Sequence, residues 1–370
     1  MLILVLTIHY TQQIYFSLNT HYAQQKQITL NTMINRHSSI AHAAYHDLLR
    51  SLKDEALMDI RGTPTKITRG DKTYWYDTFR VGTDVRKTYI GEDSPALSSR
   101  LSKLTELRAA AKERQANRTR LIRILRAEGF MSTDAATGSL LSAMAKAGVF
   151  RLGGTVVGTH AFRLYEGELG LRYGFDETAQ TGDIDIASFE RLSLALEDAV
   201  SPPLHDVFRD FAFDPMPSLR PENVWRWKQT RNDLMVEFLT PSFDAEEGVR
   251  PLAALGVDAQ SLHHLNYLIQ NPIPAAILYR SGTLVQIPQP ERFAIHKLIV
   301  ADRRRDGPDH IKAAKDRAQA AFLINALAED RPDELRDAYV LARENGPRWE
   351  QRLDATLGRM PKTAAVLAGL

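Results

Sequence analysis

The chain contains no cysteine. That excludes disulfides, thiolate-ligated zinc and a thiol nucleophile. It also lacks an apolar stretch of membrane-spanning length. The short apolar run Met1–Ile8 cannot cross a bilayer, and it lacks the basic leader and small-residue cleavage site of a secretory signal. Neither sign of charge is in large excess. The 47 Lys and Arg against 45 Asp and Glu leave a net charge of +2, so contact with a polyanion must come from a local patch. No internal repeat or long low-complexity tract is present. These absences fit a cytoplasmic protein with no membrane partner, whose chemistry rests on carboxylates, hydroxyls and amines.

What is present is an ordinary globular composition. With 370 residues, 44% of them hydrophobic and 25% charged, the chain can form two or three domains with cores of normal size. Residues 1–32 are rich in Gln, Asn, Thr and His and show little helical period. They read as a non-native or disordered extension upstream of a chain that starts at Met33. Residues 33–94 read as a helix over Ser39–Arg61 followed by a small three-stranded antiparallel sheet. Its strands are Thr65–Thr68, Thr73–Val81 and Val85–Ile90, with Arg69-Gly70-Asp71 and Gly82-Thr83-Asp84 as turns. In the central strand Trp75, Asp77, Phe79 and Val81 share one face, and Tyr74, Tyr76 and Arg80 share the other. Residues 95–149 form a helical connector. A long helix runs Pro95–Glu128 to Gly129, with nine Lys and Arg between Arg100 and Arg126 against Glu106 and Glu113, and a shorter one runs Asp134–Ala147 to Gly148. Residues 150–250 form a mixed α/β core. Residues 251–370 form a mainly helical C-terminal domain that opens with a hairpin of Ile273–Tyr279 and Thr283–Ile287.

Two segments of the core carry chemistry. In Phe150-Arg151-Leu152-Gly153-Gly154-Thr155 an apolar strand runs into two glycines and a hydroxyl residue, then into a helical segment, Val156–Tyr165. Glycines there let backbone N–H groups approach phosphate oxygens, and a helix N-terminus favours an anion. The plain alternative is an ordinary strand-to-helix turn. The second segment is Thr181-Gly182-Asp183-Ile184-Asp185-Ile186-Ala187. Alternate strand residues share a face, so Asp183 and Asp185 project together, about 7 Å apart, while Ile184 and Ile186 face the core. Two such carboxylates favour a cation between them, and Mg²⁺ suits one or two carboxylates plus substrate phosphates. The plain alternative is an exposed edge strand. A third carboxylate is expected from the apolar strand Leu234–Pro241. Glu237, flanked by Val236 and Phe238, is preferred over Asp233, which lies near the strand start.

Leu152-Gly153-Gly154-Thr155, Asp183-Ile184-Asp185-Ile186 and Val236-Glu237-Phe238 together resemble the signature of the DNA polymerase β-like nucleotidyltransferase superfamily. That signature is an apolar residue before Gly and Gly or Ser, then Asp-x-Asp or Glu, then a third acid between apolar residues. Gly158-Thr159-His160-Ala161-Phe162 and Leu239-Thr240-Pro241 also look like bacterial nucleotidyltransferase-fold proteins of that group. The chain departs from the pattern at Thr155, where Ser is common, at Glu237, where Asp is usual, and in a longer Gly154-to-Asp183 gap with an added segment near Tyr165–Gln180.

The resemblance implies an α+β fold, a nucleotidyltransferase mixed sheet with flanking helices. It implies an NTP substrate and two Mg²⁺ ions, with Asp183, Asp185 and Glu237 both catalytic and metal-binding, and with Gly153, Gly154 and Thr155 against the phosphates. It implies release of pyrophosphate as a nucleoside monophosphate passes to an acceptor hydroxyl of RNA or protein. Abortive-infection-type nucleotidyltransferase toxins carry a helical Lys and a later basic residue-Asp pair in similar order, and Lys297 and Lys315-Asp316 look like those positions, suited to a triphosphate. A toxin with a protein antitoxin partner would share this chemistry. A nucleic-acid-binding regulator with a vestigial transferase fold is the non-enzymatic alternative. The aromatic and basic residues of the 66–90 sheet resemble small arm-site DNA-binding modules of phage integrases. With the basic helix 100–126 that sheet is a candidate surface for RNA or DNA.

Overall fold

In the computed structural model the described residues are 34–56, 62–81, 84–174, 182–189, 198–216, 224–307 and 310–370. The expectations for residues 1–32, for the last turn of a helix ending at Arg61 and for residues 175–180 of the added segment before Asp183 lie outside them. Residues 37–370 form one compact unit.

Helix α1 (Ser39–Ala56) leads into an antiparallel sheet of β1 (Thr63–Arg69), β2 (Lys72–Val81) and β3 (Asp84–Glu92), in that order. Helix α2 (Pro95–Ala127) starts where Ser94 caps it, its hydroxyl accepting from the Leu97 N–H, with Pro95 in the first turn. Helix α3 (Ala135–Ala147) is capped by Asp134 and stopped by Gly148 in the left-handed conformation. Tyr45, Leu48 and Leu52 of α1 pack against Ile122, Leu125 and Phe130. Not every cation of α2 is available to a ligand. Arg118 is buried, pairs with Glu55 at 2.7 Å and donates to the Ser281 carbonyl.

The mixed sheet is built from β4 (Thr155–Val157), β5 (Asp183–Ala187), β6 (Phe213–Pro215), β7 (Arg226–Gln229), β8 (Met235–Pro241), β9 (Val249–Leu252) and β10 (Val257–Leu262). Its main path is β4-β5-β8-β10-β9, with β7 pairing the first half of β8 and β6 pairing β7. Strands β5, β8 and β10 are parallel neighbours, and the outer pairings are antiparallel. The sheet runs on to Leu262, past the expected core end at residue 250, because alternate residues Val257, Ala259 and Ser261 are buried as a further strand. Helix α4 (Gly158–Leu169) follows β4, and α5 (Leu204–Asp210) precedes β6.

After α6 (Leu265–Ile269), β11 (Ile273–Ile277) and β12 (Thr283–Ile287) form the expected hairpin. Five helices complete the chain: α7 (Pro290–Arg303), α8 (His310–Asp330), α9 (Pro332–Glu344), α10 (Pro347–Leu357) and α11 (Pro361–Ala368). Helix α7 is the central one, burying Phe293, Ile295, Leu298 and Ile299 and packing on α8, α9 and α10. The class is the α+β fold expected from the sequence. No helix among the described residues is long and apolar enough to cross a membrane.

Candidate active site

The turn from β4 into α4 lies against the sheet's acidic row. Val157 is the register partner of Asp185, and the next residue, Gly158, has φ of +66°. A Cβ at Gly158 would stand 2.2 Å from Asp185 Oδ2, so any other residue would displace that carboxylate as well as strain the backbone. No side chain caps the start of α4, since Val157 has no acceptor to offer, and its first N–H groups face this turn without a side-chain partner.

This arrangement corrects the expected course of residues 150–165. The glycines Gly153 and Gly154 do not follow a strand. Phe150–Gly153 turn back from the end of α3, held by Leu152 N–H to Gly148 carbonyl at 3.0 Å and Gly154 N–H to Val149 carbonyl at 2.9 Å. The strand starts afterwards, at Thr155, and the helix at Gly158. Gly154 is required by packing, since a Cβ there would meet Val149 Cγ1 at 2.6 Å. Thr155 is buried opposite Ala187, at the end of β5 away from Asp183. The structure therefore brings Gly158-Thr159, rather than Gly153, Gly154 and Thr155, to the carboxylates. The missed signal was the β-branched run Thr155-Val156-Val157 immediately before Gly158.

Asp183 and Asp185 alternate with the fully buried Ile184 and Ile186. On the parallel neighbour β8, Glu237 is the direct register partner of Asp185, between fully buried Val236 and Phe238. Register partners share a face, so Asp185 and Glu237 stand about one strand spacing, ~5 Å, apart. Asp233, the other candidate, has a 99% exposed side chain that reaches Lys228 at 3.2 Å. Burial, then the charges of Glu237 and Asp183, push the Asp185 carboxyl up to about 7, against the opposing pull of Lys297 and Arg304. Glu237 is also raised, by burial first and then by Asp183, although Arg226 Nε stands 2.9 Å from its Oε1. No described residue hydrogen-bonds to or ion-pairs with the Asp185 side chain. Among the described residues no three His, Asp or Glu side chains are grouped to hold a metal ion. What Asp183, Asp185 and Glu237 offer is a hard, anionic oxygen row. That donor chemistry suits Mg²⁺ if phosphate oxygens complete the shell.

Cations face this row from α7 and α8. Lys297 Nζ lies 2.5 Å from Asp316 Oδ1, and Arg304 lies 2.7 Å from Asp316 Oδ2. Lys315 feels Asp183, and its amine is held below its ordinary value by burial and by Lys297. Lys297 and Arg304 act on Asp185, and Lys312 and Arg304 act on Glu237. Asp316 is the anchor of this group, at 2% exposure. Replacing it with alanine leaves Lys297 and Arg304 without their shared acid. Asp316→Ala is expected to cost about 3–5 kcal/mol in urea or thermal unfolding, and an unchanged midpoint would contradict the pairing. His160, two residues after Gly158, is held neutral. Burial, Arg163 and Lys315 pull it down to about 4.

A strand-to-helix glycine turn, three acids on adjacent strands and facing cations are the parts expected of a candidate nucleotidyl-transfer site. A family model described as nucleotidyltransferase matches residues 135–343, more than half of the chain. No curated protein and no solved structure matches significantly. The chain belongs to the nucleotidyltransferase family.

Proposed function

We propose that the protein transfers a nucleoside monophosphate from an NTP to an acceptor hydroxyl and releases pyrophosphate. The observation that carries this reading is Asp185. It is an unpartnered, desolvated carboxylate beside Glu237 and Asp183, facing the cations of α7 and α8. The acceptor oxygen attacks the α-phosphorus, the bond to the β-phosphate oxygen breaks, and the acceptor proton leaves to a base. Glu237, held by Arg226, would take that proton. Gly158-Thr159 gives the phosphates a close backbone approach with N–H donors at the start of α4. Lys297 and Lys315 draw in the triphosphate, and Asp316 fixes Lys297. Asp183 and Asp185, with Glu237, would hold Mg²⁺, which supplies neutralisation of the triphosphate and of the attacking and leaving oxygens.

Gly158→Ala is expected to cut transfer by about 100-fold or more, because the added methyl displaces Asp185 and the nearby N–H groups. Its folding cost should be about 1–2 kcal/mol, from the left-handed backbone. Gly248→Ala, where nothing lies within 4 Å, serves as the control and should behave as wild type. Equal activity of the two variants would contradict the placement of the turn.

The reading is tested by incubating the protein with Mg²⁺, each α-labelled NTP, and either total RNA or total protein. Label should enter one acceptor fraction as pyrophosphate appears. Absence of label from both fractions with all four NTPs would overturn it.

A further inference from the structure

The sheet β1–β3 lies outside the matched nucleotidyltransferase region, and its two faces differ. The inner face is committed. Asp77 and Phe79 are buried, the Trp75 indole donates to Asp93 at 2.8 Å, and Arg86 reaches Asp206 of α5 at 3.3 Å. Among the described residues the outer face has no such cover. Tyr76 of β2 pairs in register with Tyr89 of β3, and two residues along Thr78 pairs with Lys87. The Tyr76 and Tyr89 rings are 5.7 Å apart and those of Tyr74 and Tyr89 are 6.2 Å apart, yet Tyr89 is 55% exposed. Around this cluster stand Arg69, Arg80 and Lys87, all exposed, and none makes an ion pair with a described residue. Glu92, the acid near the cluster, is held by Lys72 at 3.1 Å.

Three grouped tyrosines on the solvent side of a small sheet are a misplaced apolar surface unless something covers them. The surrounding charge selects the cover. Three uncompensated cations repel a basic partner, give a neutral one no charge attraction, and attract a polyanion. A polyanion that also carries flat rings, free of pairing, satisfies both features. Its bases stack on the tyrosines while its phosphates meet the cations. A double helix would present phosphates but hide its rings, leaving the tyrosines wet.

We infer that the outer face of β1–β3 binds single-stranded nucleic acid through Tyr74, Tyr76 and Tyr89, with Arg69, Arg80 and Lys87 on the backbone. The face is a binding platform on its own account and does not depend on the transferase reading.

The test is fluorescence anisotropy of the full chain with labelled RNA and DNA strands of about 12 nucleotides and with the corresponding duplexes, at about 50 and 200 mM salt. Single strands of at least one sugar type are expected to bind about ten-fold or more tightly than the duplexes. Tyr89→Ala should weaken strand binding about ten-fold, and Tyr89→Leu, which keeps apolar volume but removes the ring, should weaken it equally. The triple variant Arg69→Gln/Arg80→Gln/Lys87→Gln changes only exposed side chains and should fold normally. It should reduce the salt slope by about 2, against no change for the remote Arg336→Gln. The inference is overturned if no strand binds at the lower salt, if duplexes bind as tightly as strands, or if the triple variant keeps the wild-type affinity and slope.

Discussion

Replacing Asp183 and Asp185 together by asparagine should reduce nucleotidyl transfer by at least about 10³-fold while the protein remains folded. Asparagine keeps the volume of the side chain and removes its charge, so the loss is electrostatic rather than steric. Folding should survive because the strand is held by other means. Ile184 and Ile186 are fully buried on the opposite face, and β5 is registered along its length with β8 and over Asp185–Ala187 with β4. The Asp185 carboxyl makes no hydrogen bond or ion pair among the described residues whose loss could unfold the sheet. Circular dichroism and a melting curve taken beside the activity assay separate the two effects. Substantial transfer by the folded double variant would remove the acidic row from the chemistry.

The second large effect is on stability, and it runs opposite to the effect on activity. The ordinary Asp value is 3.8, and in the folded protein Asp185 is raised to about 7 by burial and by its acidic neighbours. Between these two values the folded state holds a proton that the unfolded state has released. Stability from this group is therefore lost as pH rises from about 4 to about 7. Each unit corresponds to about 1.4 kcal/mol, so the charged form costs on the order of 2–4 kcal/mol at neutral pH. Asp185→Asn removes that cost. In the metal-free protein the variant should be the more stable one above pH 7, and the difference should shrink towards pH 4. Other buried groups, among them Glu166 and His160, titrate in both proteins. The difference between variant and wild type isolates Asp185. Parallel unfolding midpoints from pH 4 to pH 8 would contradict a desolvated, crowded carboxylate. An inactive variant that is more stable than wild type shows strain retained at a working site.

Much of the candidate site's strand geometry was legible in the sequence because strand periodicity is strict. Asp183-Ile184-Asp185-Ile186 has one reading as a half-buried strand, and the acid inside Val236-Glu237-Phe238 needs a polar neighbour wherever that strand lies. The structure provides one in Arg226, whose Nε lies 2.9 Å from Glu237 Oε1, and sets Glu237 in register with Asp185. Helix ends were legible for similar reasons, since Gly148 and the Asp134 cap act locally. The glycine turn was not. Gly153-Gly154 and Gly158 both precede a helix-like pattern, and the choice between them depends on where α3 reverses and on Val149 packing against Gly154. The cations were legible as residues but not as a group. Lys297, Arg304 and Asp316 meet only because α7 and α8 pack side by side. Sequence also overstated α2 as a basic surface, because Arg118 is used inside the fold, where it binds Glu55 and the Ser281 carbonyl. On β1–β3, by contrast, alternation separated the buried Phe79 face from the tyrosine face correctly.

The central claim is that the acidic row of β5 and β8 and the cations of α7 and α8 form one site for a metal-bound triphosphate. The measurement that addresses it without knowledge of the acceptor is calorimetric titration with a non-hydrolysable NTP analogue, with and without Mg²⁺. Wild type should bind the analogue tightly only when Mg²⁺ is present. The Asp183→Asn/Asp185→Asn variant should lose that Mg²⁺ dependence, and Lys315→Met should weaken binding with the dependence intact. Binding of the analogue that is the same in wild type and in the double variant, with or without Mg²⁺, would contradict the account.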